Sequence, residues 1–219
     1  MNTAILLYDS FTALDAIGPY EVLSRIPGAR VTFVAGEAGP VRTDNGMLTL
    51  NAERSLQEVL APEIVLVPGG PGEVAARAGG PVLEWLRAKH ETSAWTTSVC
   101  TGSLILAAAG LLDGKRATSH WLALDTLADL GAEAVAERVV LDGKIVTAAG
   151  VSAGIDMALA LAAKIAGEQV AQAIQLGIEY DPQPPFDAGS PEKAPAEIVQ
   201  LLRDRSRLVS GQDALAPSP

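Results

Sequence analysis

Short apolar runs alternating with helical stretches are the feature that most limits what this chain can become. Residues 3–8, 30–35, 63–67 and 94–99 are such runs, and each leads into residues that favour a turn or a helix start. Two of them, Thr3-Ala-Ile-Leu-Leu-Tyr8 and Glu63-Ile-Val-Leu-Val67, are apolar almost throughout. A strand with one wet face would alternate, so these read as strands covered on both faces. Helical spacing or composition fills the gaps at 81–90, 101–109, 122–130, 152–166, 168–178 and 196–207. Leu14, Ile17, Val22 and Ile26 share a helical face in the first gap, where Gly18-Pro19 is expected to bend or restart the helix. Hairpins are signalled by Asp44-Asn-Gly46 before residues 48–52, and by Asp142-Gly143 between residues 135–141 and 144–147. The proline-rich stretch 181–191 must be extended or turning. The pattern predicts an α/β sandwich of three layers, a mostly parallel sheet with helices on both faces. No linker interrupts it, so residues 1–209 are read as one domain, with 210–219 an expected disordered tail.

Composition narrows the function. The net charge is −10. An acidic chain without a basic cluster is a poor match for a phosphate backbone, so no nucleic-acid partner is expected. The longest strongly apolar stretch, 104–112, is far short of the ~18 residues a membrane span needs, and no secretory signal is visible at Met1. No membrane partner is expected, and the expected location is the cytoplasm. One cysteine cannot make an internal disulfide, and with only two histidines a Cys/His zinc site is hard to assemble, so no metal is expected.

That cysteine, Cys100, stands where a strand turns abruptly into a helix, in Ser98-Val-Cys-Thr-Gly-Ser103. This is nucleophile-elbow geometry. A helix start favours negative charge, which should lower the thiol pKa, and it offers free N–H groups to a developing anion. The bland alternative is a small buried hydrophobe. Pro68-Gly-Gly70 ends the neighbouring strand and exposes further backbone donors, or is a plain turn. No GxGxxG pattern with a following acid is present, which argues against a dinucleotide site. Asp15 lies among apolar neighbours, as an N-cap or as a buried acid able to carry a proton. Asp156 is a competing acid. His120 is either a base for Cys100 or a structural residue, and His90 reads as a solvated surface residue.

Seven segments together resemble the ThiJ/PfpI superfamily of flavodoxin-like domains. They are Leu14-Asp-Ala-Ile-Gly-Pro19, Val67-Pro-Gly-Gly70, Thr97-Ser-Val-Cys-Thr-Gly-Ser103, Ala107-Ala-Ala-Gly-Leu-Leu112, Arg116-Ala-Thr-Ser-His-Trp121, Glu137-Arg-Val-Val140 and Ala153-Gly-Ile-Asp156. With Glu179-Tyr-Asp-Pro-Gln-Pro-Pro-Phe-Asp-Ala-Gly-Ser-Pro191, they are most similar to its isocyanide (isonitrile) hydratase branch. The resemblance implies that Cys100 is the nucleophile and Asp15 the acid beside it. It also implies that the N–H groups of Gly70 and Thr101 form an oxyanion-like pocket. Thr101 stands where PfpI-type proteases have His, which argues against a Cys–His protease. The implied reaction is hydration of a small-molecule isocyanide to an N-substituted formamide without metal or organic cofactor. The implied assembly is a homodimer. Other readings within the superfamily are a cysteine-based oxidant sensor, a glyoxalase- or deglycase-like enzyme, and a non-catalytic ligand-binding module.

Overall fold

The apolar runs pair side by side in the computed structural model, which describes residues 1–206. The seven-stranded sheet is built from β1 (Asn2–Leu6), β2 (Arg30–Ala35), β5 (Arg54–Ser55), β6 (Ile64–Val67), β7 (Trp95–Val99), β10 (Val139–Asp142) and β11 (Ile145–Ala148). The order across the sheet is β10-β11-β7-β6-β1-β2-β5. All neighbours are parallel except β10 and β11, which form the hairpin signalled by Asp142-Gly143. Outside the sheet lie a second hairpin, β3 (Gly39–Arg42) with β4 (Thr49–Ala52), and a short parallel pair, β8 (Arg116–Ala117) with β9 (Glu133–Ala134).

Side-chain alternation explains why these strands read as continuous apolar runs. In β6, Ile64 and Leu66 enter one core, and Val65 and Val67 enter the other. The first core is closed by α1 (Ala13–Leu23), α6 (Ala153–Ala166) and α7 (Glu168–Gly177). The second is closed by α3 (Pro81–Thr92), α4 (Gly102–Ala108) and α5 (Leu124–Asp129). Two further α-helices are α2 (Glu73–Ala76) and α8 (Ala196–Arg205). Each fully buried Val, Leu or Ile contributes roughly 1.5–3 kcal/mol by leaving water, so a polar residue on either face of these strands would be costly. The expected three-layer α/β sandwich is the observed one.

Three expectations change. Helix α1 runs through Pro19 instead of restarting. Its packing on α6 holds it: a Cβ added at Gly154 would lie 3.0 Å from Pro19 Cγ and 3.0 Å from Val99 Cγ2. That close approach outweighs the backbone bond that proline forfeits. The strand expected over 135–141 begins only at Val139, as β10, because residues 135–138 lead into the sheet from β9, which lies outside it and pairs with β8. His90 is half-buried and bonded through Nδ1 to Thr96 Oγ1 at 2.8 Å, so it is not a solvated surface residue. The stretch 181–191 carries neither helix nor strand, as expected. The expected disordered tail, 210–219, lies outside the described residues.

Strand order fixes where a site can form. From β1 the chain moves outward to β2 and β5, then returns to the other side of β1 for β6 and β7. The loops after β1 and β6 therefore diverge, leaving a crevice beyond the carboxyl ends of the strands.

Candidate active site

Cys100 stands between β7 and α4 with φ of 56°, a backbone conformation that non-glycine residues rarely adopt. Four hydrogen bonds hold it there. Its N–H is shared between Ala148 O (3.1 Å) and Ala149 O (3.0 Å), and its carbonyl accepts from Ser103 Oγ (3.2 Å) and Ser119 Oγ (3.1 Å). The following turn is equally constrained. A Cβ at Gly102 would lie 2.1 Å from Val67 O, so only glycine lets α4 start against the end of β6. These contacts are the physical content of the elbow read from the small residues after Cys100.

Asp15 is fully buried in the first turn of α1. It is not the N-cap, which is Thr12. Its Oδ2 accepts from Gly69 N–H at 2.8 Å, its carboxyl faces the Cys100 thiol, and Oδ1 has no well-aligned donor. Burial, with a smaller push from Asp44, raises its pKa to about 7 against the pull of the Gly69 N–H and Cys100.

The thiol departs from expectation. Cys100 is only 5% exposed. Burial first and Asp15 second push its pKa up. The N–H groups of Val151 and Thr101 and the Thr101 hydroxyl bond the sulfur and oppose that rise without reversing it. The lowering expected at a helix start is thus overridden by desolvation and by a neighbouring acid. Cys100 and Asp15 form one buried unit whose proton is set by the pair, not by either group.

Gly70 and Thr101 also meet, in an unexpected way. The Gly70 N–H donates to Thr101 Oγ1 at 3.0 Å, inside the protein. It therefore orients that hydroxyl rather than standing free. His120 is drawn elsewhere. Its Nδ1 accepts from Leu122 N–H at 3.3 Å, capping a short 3-10 turn, and its ring packs where a Cβ on Gly150 would come within 2.8 Å. Burial lowers its pKa, so it is a neutral ring bonded to Leu122 rather than to Cys100 or Asp15. Asp156 pairs with Arg138, whose guanidinium also donates to Ser152 Oγ.

Three residues were not singled out in the sequence. Val151, at φ of 28°, brings its N–H to the sulfur. Tyr8 donates its hydroxyl to Pro68 O at 2.8 Å. Glu73, 2% exposed, pairs with Arg77 at 2.7 Å beside the same loop. Only Tyr8 carried a signal: it is the polar end of an apolar strand, at the edge where ligands bind. Among the described residues, no group of three or more His, Cys, Asp and Glu side chains is placed to hold a metal, and no helix is long and apolar enough to cross a membrane.

Comparison with known proteins extends this geometry. The model of the DJ-1/PfpI family matches residues 1–164. An isonitrile hydratase of Pseudomonas putida is 42% identical over 94% of this chain and 90% of its own length. An HTH-type transcriptional regulator of Pseudomonas aeruginosa is 33% identical over 76% of this chain, which spans only 51% of that protein. The crystal structure of a ThiJ/PfpI family protein from Pseudomonas syringae superposes with a TM-score of 0.90 at 38% identity, covering 93% of this chain and 84% of that one.

Proposed function

Because the chain belongs to the DJ-1/PfpI family, we propose that it is an isocyanide hydratase, adding water to an isocyanide to give an N-substituted formamide. One observation carries the reading: a buried carboxyl with a pKa near neutrality faces a nucleophile-elbow thiol, with no histidine bonded to either. Likeness to an isonitrile hydratase over 94% of the chain supports it.

The chemistry needs a nucleophile for the terminal isocyanide carbon and a proton for that same carbon. Asp15 takes the thiol proton as Cys100 reacts, and the forming thiolate is bonded by the N–H groups of Val151 and Thr101 and by the Thr101 hydroxyl. The sulfur attacks the terminal carbon and Asp15 protonates it, giving a thioimidate and the Asp15 carboxylate. Asp15 then takes a proton from water and passes it to nitrogen as the water oxygen adds to carbon. Collapse of that adduct expels the sulfur, returns the hydroxyl proton through Asp15 to the thiol and releases the formamide. Thr101 serves by bonding the sulfur. Gly70 serves by fixing the Thr101 hydroxyl, and His120 supports the wall. All covalent steps fall to the thiol, so the reaction calls for no cofactor.

The exposed apolar side chains Leu14, Met47 (85% exposed) and Leu48 flank the Thr12–Asp44 hydrogen bond at the crevice mouth. Their position supports a homodimer that covers them. A lone free thiol suits the reducing cytoplasm.

The test is formamide release from a panel of alkyl and aryl isocyanides, wild type against Cys100→Ala. Wild type should turn over at least one of them and Cys100→Ala none. Substantial turnover by the variant overturns the mechanism. Turnover of methylglyoxal with none of any isocyanide would transfer the site to deglycase-type chemistry.

A further inference from the structure

Tyr8 lies just past β1, half-buried, with its ring packed against both cores. Its hydroxyl donates to the carbonyl of Pro68. That carbonyl and the Gly69 N–H belong to one trans peptide group and point to opposite sides of it. On the far side, the same Gly69 N–H donates to Asp15 Oδ2, and the Asp15 carboxyl faces the Cys100 thiol. Phenol, peptide, carboxyl and thiol thus form one continuous line. The Tyr8–Pro68 and Gly69–Asp15 hydrogen bonds are each 2.8 Å long, and both donate toward Asp15.

Hydrogen bonds in series polarise one another. A phenol donating to the Pro68 carbonyl draws electron density from the peptide and makes the Gly69 N–H a stronger donor. A stronger donor favours the carboxylate over the carboxylic acid. We propose that Tyr8 is a positioning residue that, through the Pro68–Gly69 peptide, sets how readily Asp15 gives up its proton. The inference rests on Asp15 as the proton carrier of the reaction above, and it names what keeps that buried acid able to release its proton.

The surroundings suit a permanent donor. Burial first, then Asp15, Cys100, Glu73 and Asp44, raise the phenol well above its ordinary pKa. These acids face it from α1, the elbow, α2 and the β3–β4 turn. Glu73 is compensated by Arg77. Tyr8 therefore keeps its proton over the whole range in which Asp15 titrates. Loss of the hydroxyl alone spares the packing, so Tyr8→Phe isolates the relay.

Cys100 is the only cysteine, so alkylation by iodoacetamide reports on it alone and requires no isocyanide turnover. Its rate is measured against pH for the full chain as wild type, Tyr8→Phe, Asp15→Asn and the double variant. The step that Asp15→Asn erases is the titration of Asp15. Tyr8→Phe should move that step upward by about 0.3–0.5 of a pH unit, from cooperative strengthening of about 10–30% per bond. In the Asp15→Asn background, Tyr8→Phe should change nothing. An unmoved step, or an equal effect in both backgrounds, overturns the proposal. Should Tyr8→Phe fail to fold, a ring-fluorinated tyrosine at position 8 is a more acidic donor and should move the step downward. No movement or an upward one overturns the proposal. The expected shift in a protein that turns over no isocyanide would keep the relay and refute the reaction.

Discussion

Asp15 should cost the protein stability at neutral pH, and Asp15→Asn should recover it. The carboxyl has a pKa near 3.8 when exposed and about 7 in the folded protein. The unfolded chain ionises Asp15 above pH ~4, whereas the native state holds the proton until pH ~7. Between these values the native state binds more protons, so stability contributed by this group is present below pH ~4 and is lost as pH rises toward 7. The displacement corresponds to about 4 kcal/mol, an order-of-magnitude figure for a fully buried group. Asparagine can accept the Gly69 N–H in the same place without ionising. Urea unfolding of wild type and Asp15→Asn from pH 4 to 8 checks this. The variant should match wild type within about 1 kcal/mol at the acid end and exceed it by several kcal/mol at pH 8, while losing isocyanide turnover. The other buried acid with a raised pKa, Glu73, contributes equally to both curves and cancels in their difference. Parallel curves would refute the reasoning, because they would mean that Asp15 titrates alike in the folded and unfolded chain.

Two further outcomes follow from the geometry. Thr101→Val strands the buried Gly70 N–H and should lower stability by about 1–3 kcal/mol, read by urea midpoint, together with turnover. His120→Gln should retain turnover within a few-fold of wild type, because the ring bonds Leu122 rather than Cys100; a loss comparable to Cys100→Ala would restore His120 as the base.

How far the site could be read in advance depended on the range of each interaction. The elbow was legible at Cys100 because strand ending, small residues and helix start are neighbours in the chain. Asp15 was legible as an acid set among apolar residues, but its choice between N-cap and buried acid depended on Gly69, 54 residues away. The bonds of Gly70 to Thr101 and of Tyr8 to Pro68 span 31 and 60 residues, beyond any local pattern. The continuity of α1 through Pro19 likewise depended on α6.

The sequence by itself determined the alternation of strands and helices, the two-faced burial of the sheet, and the place of its one cysteine. All three follow from periodicity and turn chemistry over a few neighbouring residues. The tertiary structure decided the protonation chemistry. It desolvated Cys100 and Asp15 together, turned the Gly70 donor onto Thr101, held His120 to Leu122, and lined up Tyr8 behind Asp15. Desolvation and hydrogen-bond partnership depend on which distant segments pack together, and only the folded chain brings those segments into contact.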